Sequence, residues 1–81
     1  MKHAGPDTLA ELDSLLREIR AHPALVERTP GCFYRKSKAY LHFHEDPSGI
    51  YADIKLGASG FTRVKVTTAP EQARLLSLIP K

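Results

Sequence analysis

Apolar residues in the first quarter of the chain recur at helical intervals. Leu9, Leu12, Leu16 and Ile19 fall on one face, widened by Leu15, while Glu11, Asp13, Arg17, Glu18 and Arg20 take the other. Thr8 followed by Glu11 reads as a capping box, with Asp7 as the competing cap. Pro23 biases His22 away from α geometry. The pattern predicts a helix over 8–21. Residues 23–31 read as a connector from which Leu25 and Val26 reach the core, and Pro30-Gly31 ends it as a turn.

From residue 32 to 67 the period changes to two, and aromatic and β-branched residues dominate. Breaks at Lys36-Ser37, at Glu45-Asp46-Pro47-Ser48-Gly49 and at Gly57-Ala58-Ser59-Gly60 divide this stretch into four short strands. Such short links allow only an antiparallel meander. Alternation predicts the register. Leu41 pairs with Ile54 and Phe43 with Ala52, facing the core together with Val64, Val66 and Cys32. His42 then lies opposite Asp53, and Tyr40 opposite Lys55. Pairing Ile54 with Val64 sets Asp53 opposite Lys65 and Lys55 opposite Arg63. In the first hairpin Phe33 faces Tyr40 and Tyr34 faces Ala39.

Thr68 and Glu71 form a second capping box, with Pro70 in the first turn. Ala73, Leu75, Leu76, Leu78 and Ile79 supply the apolar side of a final helix that Pro80 ends. The expected fold is therefore α+β, a two-layer sandwich of order α-β-β-β-β-α. A four-stranded antiparallel meander carries two helices on one face. Residues 1–81 read as a single domain, with 1–7 flexible.

Composition narrows the class. With 81 residues, 42% hydrophobic and 26% charged, the chain has the make-up of a folded domain, too small for a second core. No run of about 18 apolar residues suggests a membrane span. One cysteine and an N-terminus without an apolar signal core point to the cytoplasm. The net charge of +3 is mild but unevenly placed. Residues 1–31 are slightly acidic, whereas 32–67 carry Arg35, Lys36, Lys38, Lys55, Arg63 and Lys65 against Glu45, Asp46 and Asp53.

These cations fall with rings on the predicted open face of the sheet. That face is expected to show Phe33, Arg35, Lys38, Tyr40, His42, His44, Tyr51, Asp53, Lys55, Arg63 and Lys65. Three uses compete. Single-stranded nucleic acid stacks bases on rings while cations follow phosphates. A homodimer or adaptor surface would bury the same rings. A plainly solvated face needs neither. The binding residues expected for the first use are Phe33, Arg35, Tyr40, His42, Tyr51, Lys55, Arg63 and Lys65.

Metal and catalytic chemistry have less behind them. His42 and His44 share a strand face, and Glu45 and Asp46 follow, but both acids lie in a turn and His42 has Asp53 as a partner. No metal or cofactor is expected. Cys32 alternates inward and has no spacing relationship to a base, and Gly57-Ala58-Ser59-Gly60 links strands without opening a helix. The chain reads as a non-enzymatic binding module.

The stretches Phe33-Tyr34-Arg35-Lys36-Ser37-Lys38-Ala39-Tyr40, Ala52-Asp53-Ile54-Lys55-Leu56 and Thr67-Thr68-Ala69-Pro70-Glu71-Gln72-Ala73, in this order, resemble the middle of the YjbR/MmcQ family across residues 24–79. The resemblance implies a frataxin-like or secretion-chaperone-like α/β sandwich, and members of that family have been labelled DNA-binding. It implies no catalytic residue. The string Leu41-His42-Phe43-His44-Glu45-Asp46-Pro47 lies outside the pattern, and the alternative expectation it raises is a separate small bacterial family of unknown function.

Overall fold

The structure, a computed structural model, describes residues 1–58 and 60–80. It is α+β, with three helices and one antiparallel sheet of six strands. The elements in chain order are β1 (Lys2–His3), α1 (Pro6–Glu11), α2 (Asp13–Arg20), β2 (Val26–Thr29), β3 (Cys32–Arg35), β4 (Lys38–Asp46), β5 (Gly49–Gly57), β6 (Gly60–Lys65) and α3 (Ala69–Leu78). The sheet order is β2-β3-β4-β5-β6, and β1 pairs with the far end of β4.

The expected meander is β3 to β6, and its breaks fall where the turn residues stand. Ser59, in the last of them, lies outside the described residues. Two strands carried too little pattern to be seen. β1 is two residues long, and with it the N-terminal stretch expected to be flexible is paired and then helical. β2 arises within the connector. Leu25 is buried as expected, but Val26 faces solvent on the edge strand, because it pairs with Tyr34 on the open side.

The first helix also differs. It starts at Pro6 and breaks at Leu12, whose φ of −93° and ψ of 11° leave helical geometry before α2 resumes. Thr8 lies inside α1, so its capping box with Glu11 does not form. Glu45 of β4 supplies the cap instead: the Gly5 N–H donates to its carboxylate at 2.6 Å. Leu12, Leu15, Leu16 and Ile19 still bury their side chains as the spacing required. At the other end the capping box of α3 is present, with Thr68 and Glu71 bonding reciprocally. Leu75 and Ile79 of the final segment are buried, whereas Ala73 is exposed.

One sheet face packs on the helices. Phe33, Leu41, Phe43, Ala52, Ile54 and Val66 meet Leu12, Leu15, Leu16, Ile19 and Leu75 in a single core, with Val64 half-buried beside it. The predicted pairs Leu41 with Ile54, His42 with Asp53 and Phe43 with Ala52 are all present. Two registers differ. Between β5 and β6, Ile54 faces Thr62 and Ala52 faces Val64, a slip of two residues. Every side chain keeps its face in such a slip, so alternation cannot detect it. The slip sets Arg63, rather than Lys65, opposite Asp53 and Phe61 opposite Lys55. It also lets Val66 donate to the Ile50 carbonyl and bury its side chain.

The β3–β4 hairpin holds the larger correction. Its turn residues, Lys36 and Ser37, both have positive φ, 52° and 67°. This tight turn pairs Arg35 with Lys38 and Tyr34 with Ala39. A regular ladder would then send Cys32 inward and Phe33 outward. A bulge at Tyr40 intervenes, so that Phe33 meets Leu41 and Cys32 meets His42. The extra residue exchanges a thiol for a phenyl ring in the core, and burying the larger apolar surface outweighs one irregular step in the ladder.

Candidate functional site

The bulge redraws the open face. Phe33, expected there, is 1% exposed, and Tyr40 is 5% exposed. Neither ring is available to stack on a ligand. Arg35 and Lys38 have the inward parity of Phe33, and the Arg35 guanidinium lies 5.7 Å from the Tyr40 ring centroid. Cys32, expected inward, is on the open side opposite His42. The other expected residues lie where alternation put them. His42, Asp53 and Arg63 form one cross-strand row; His44, Tyr51 and Lys65 form the row on one side of it, and Lys55 lies one step away on the other side, toward the hairpin. Tyr34 and Phe61 join the face. Parity along β6 was enough to place Phe61, whereas Tyr34 needed the bulge. Arg28, 5.0 Å over the Tyr34 ring, came with the unforeseen β2.

At the centre is a cluster built on Asp53, which is only 7% exposed. Arg63 grips it with two hydrogen bonds, Nε to Oδ1 at 2.9 Å and Nη2 to Oδ2 at 3.0 Å. His44 Nε2 lies 3.1 Å and His42 Nε2 3.4 Å from the same Oδ2. His3 enters through β1, its ring stacked on His44 at 4.8 Å between centroids. Nothing in the sequence marks His3, since a two-residue strand has no period. Phe61 meets the edge of His42 at 4.9 Å.

The electrostatics follow from these contacts. The Arg63 hydrogen bonds hold the Asp53 carboxyl below the usual aspartate range, against the opposing effect of burial. Burial and the neighbouring His44 push the His42 ring below the usual imidazole range, with Asp53 pulling the other way. The centre of the face thus carries a carboxylate already neutralised by a guanidinium, beside a neutral imidazole. Glu45 and Asp46, the other candidate ligands, are engaged elsewhere. Glu45 caps α1, and Asp46 accepts from the Ser48 N–H and hydroxyl in its own turn.

A second feature lies at the hairpin end of the sheet. Arg35, Lys36, Lys38 and Lys55 converge on a cleft of about 380 Å³ completed by Ala39, Tyr40, Leu56 and Gly57. No carboxylate among the described residues lines it. Among the described residues none of these four cations takes part in an ion pair. The Tyr40 hydroxyl is buried without a hydrogen-bond partner among the described residues. The sequence held the four cations close in number but not in space, because Lys55 reaches the hairpin only through the β4–β5 pairing.

Comparison with family models, with curated proteins and with solved structures returned no match for this chain. Among the described residues no helix is long and apolar enough to cross a membrane.

Proposed function

We propose that this chain is a non-enzymatic binding module that takes single-stranded nucleic acid, with phosphates in the hairpin cleft and bases on the rings of the adjoining face. The observation that carries the reading is the convergence of Arg35, Lys36, Lys38 and Lys55 on one cleft without a neutralising acid. Unpaired cations held together repel one another, and a polyanion relieves that repulsion while releasing its own counterions. Tyr34 and Phe61 supply flat apolar surface on the adjoining face, and Tyr51 stands farther along β5, two rows from Lys55. Asp53, which would repel phosphate if free, has its charge covered by Arg63. The resemblance of residues 24–79 to the YjbR/MmcQ family leans in the same direction.

The backbone at the turn adds support. Lys36 adopts a left-handed conformation that glycine or asparagine takes more cheaply, at a cost of roughly 1–2 kcal/mol for an ordinary residue. A lysine in that place puts charge ahead of stability. Lys36→Gly is therefore expected to stabilise the fold by about 1 kcal/mol in urea denaturation. The same change should weaken oligonucleotide binding and lower the salt slope by about 0.7 for one lost phosphate contact. Weaker folding and unchanged binding would remove Lys36 from the reading.

The direct test is NMR titration with a mixed-sequence single-stranded oligonucleotide at low salt. Shifts at Arg35, Lys36, Lys38 and Lys55 and at the rings of Tyr34 and Phe61 are expected. Shifts confined to the helices, or none at millimolar strand, would exclude nucleic acid. A homodimer or adaptor role is the second reading, favoured by Val26 and Phe61, which stand exposed on the two edge strands β2 and β6. Light scattering separates the two, because a dimer through this face leaves no surface for a strand.

A further inference from the structure

The His42, His44 and Asp53 cluster serves neither the core nor the basic cleft. We propose that it is a binding site for one divalent transition-metal ion, with His42 Nε2, His44 Nε2 and Asp53 Oδ2 as ligands and zinc as the ion its chemistry fits best.

The geometry comes directly from the sheet. His42 and His44 stand two residues apart on β4 and so share a face, and Asp53 lies directly across from His42 on β5. Both strands are interior to the sheet, which fixes the three Cβ positions. The three ligand atoms all lie within 4.8 Å of one another. Zinc holds nitrogen and oxygen ligands at about 2.0–2.1 Å, which places neighbouring ligand atoms roughly 3.4 Å apart. The two imidazole nitrogens are already 3.1 and 3.4 Å from the carboxylate oxygen, so only the gap between the imidazoles has to close, through side-chain rotation.

The ligand set selects the ion. Two imidazoles and one carboxylate suit zinc and its first-row neighbours, whereas magnesium and calcium require oxygen donors. Three protein ligands leave one tetrahedral position for water or a further donor, and the His3 ring is stacked against His44 beside it. Arg63 then acts as the outer partner that orients the carboxylate, as the partners of metal-bound carboxylates do.

The arrangement is also more than Asp53 needs for itself. Arg63 already satisfies both of its oxygens, yet two further half-buried imidazoles aim the same nitrogen at one of them. When an ion binds, each Nε2 contributes its lone pair and the ring proton resides on Nδ1. The carboxylate exchanges two imidazole contacts for one bond to the ion.

The test uses the full chain without an affinity tag, freed of metal with a chelator and titrated with zinc by calorimetry near neutral pH. Binding of one zinc per chain at micromolar or tighter affinity is expected. His42→Gln and His44→Gln should each weaken it by at least about tenfold, the lower bound seen even for outer-shell partners. His22→Gln should leave it unchanged, because that ring bonds to the Pro80 carbonyl. Imidazole nitrogen shifts in the unaltered chain decide the matter even if a variant unfolds: zinc should move His42 and His44 and spare His22. No binding at millimolar zinc, or binding that leaves these two rings unmoved, overturns the proposal. No nucleic acid enters the experiment, so its outcome is independent of the strand-binding reading.

Discussion

Phe33→Ala should destabilise the fold by about 3–5 kcal/mol. A chain of this length has roughly 4–12 kcal/mol of stability in all, so the loss takes about a quarter of it or more and, at the low end of that range, leaves the variant near or past its midpoint in water. The size of the effect follows from position. Phe33 stands opposite Leu41 at 1% exposure, among the largest fully buried side chains of the molecule. Removing the ring takes away its transfer free energy and leaves a void that two rigid layers cannot close. Tyr34→Ala, one residue along on the half-buried open side, should cost much less. Urea denaturation of both variants is the measurement. A loss below about 1 kcal/mol for Phe33→Ala would mean that the hairpin runs without its bulge and that Phe33 belongs on the surface.

Asp53→Ala is the second large effect, expected to cost about 1.5–3 kcal/mol through its charge-assisted hydrogen bonds. The penalty stays below that of a fully buried pair, because Arg63 is half exposed and returns to water when released. The pH dependence gives the sharper signature. Asp53 is held below its usual range in the folded state, so its contribution is fully present above about pH 4 and is lost as pH falls through the lowered value. His42 acts in the same direction at higher pH. Its ring is kept neutral by the fold but protonates in the unfolded chain, so stability begins to fall below about pH 6.5. Metal-free protein should therefore lose stability on acidification in two stages. Asp53→Asn should reduce the lower stage without abolishing it, because Glu27, Glu45, Asp46 and Glu71 are also held below their usual range by hydrogen bonds and share it, and His42→Gln should remove the upper one. An acid limb unchanged in Asp53→Asn would show that the carboxylate has no special standing in the folded state.

The His42–Asp53 row was legible as a pair because it needs only alternation and one turn. Its extension to Arg63 was not, because the β5–β6 slip of two residues is invisible to a pattern of period two. The third imidazole, His3, depended on a two-residue strand that no periodicity announces. The basic cleft was legible only as a charge bias in residues 32–67, since its fourth cation arrives from β5.

The order of the main elements, the turns, the α3 cap and the inward residues of β4 and β5 were settled by local chemistry. Each rests on a period or on a turn residue that acts within a few positions of itself. The sequence by itself therefore determined an α+β domain with one apolar sheet face and one face of rings and charges. Tertiary structure decided which rings those are. The tight turn at Lys36-Ser37 and the hydrophobic demand of the core set opposite phases for β3, and the bulge at Tyr40 resolved the conflict by burying Phe33 and turning Cys32 outward. Choosing between those phases requires weighing a phenyl ring against a regular ladder inside a packed core, and that balance exists only once the helices are in place.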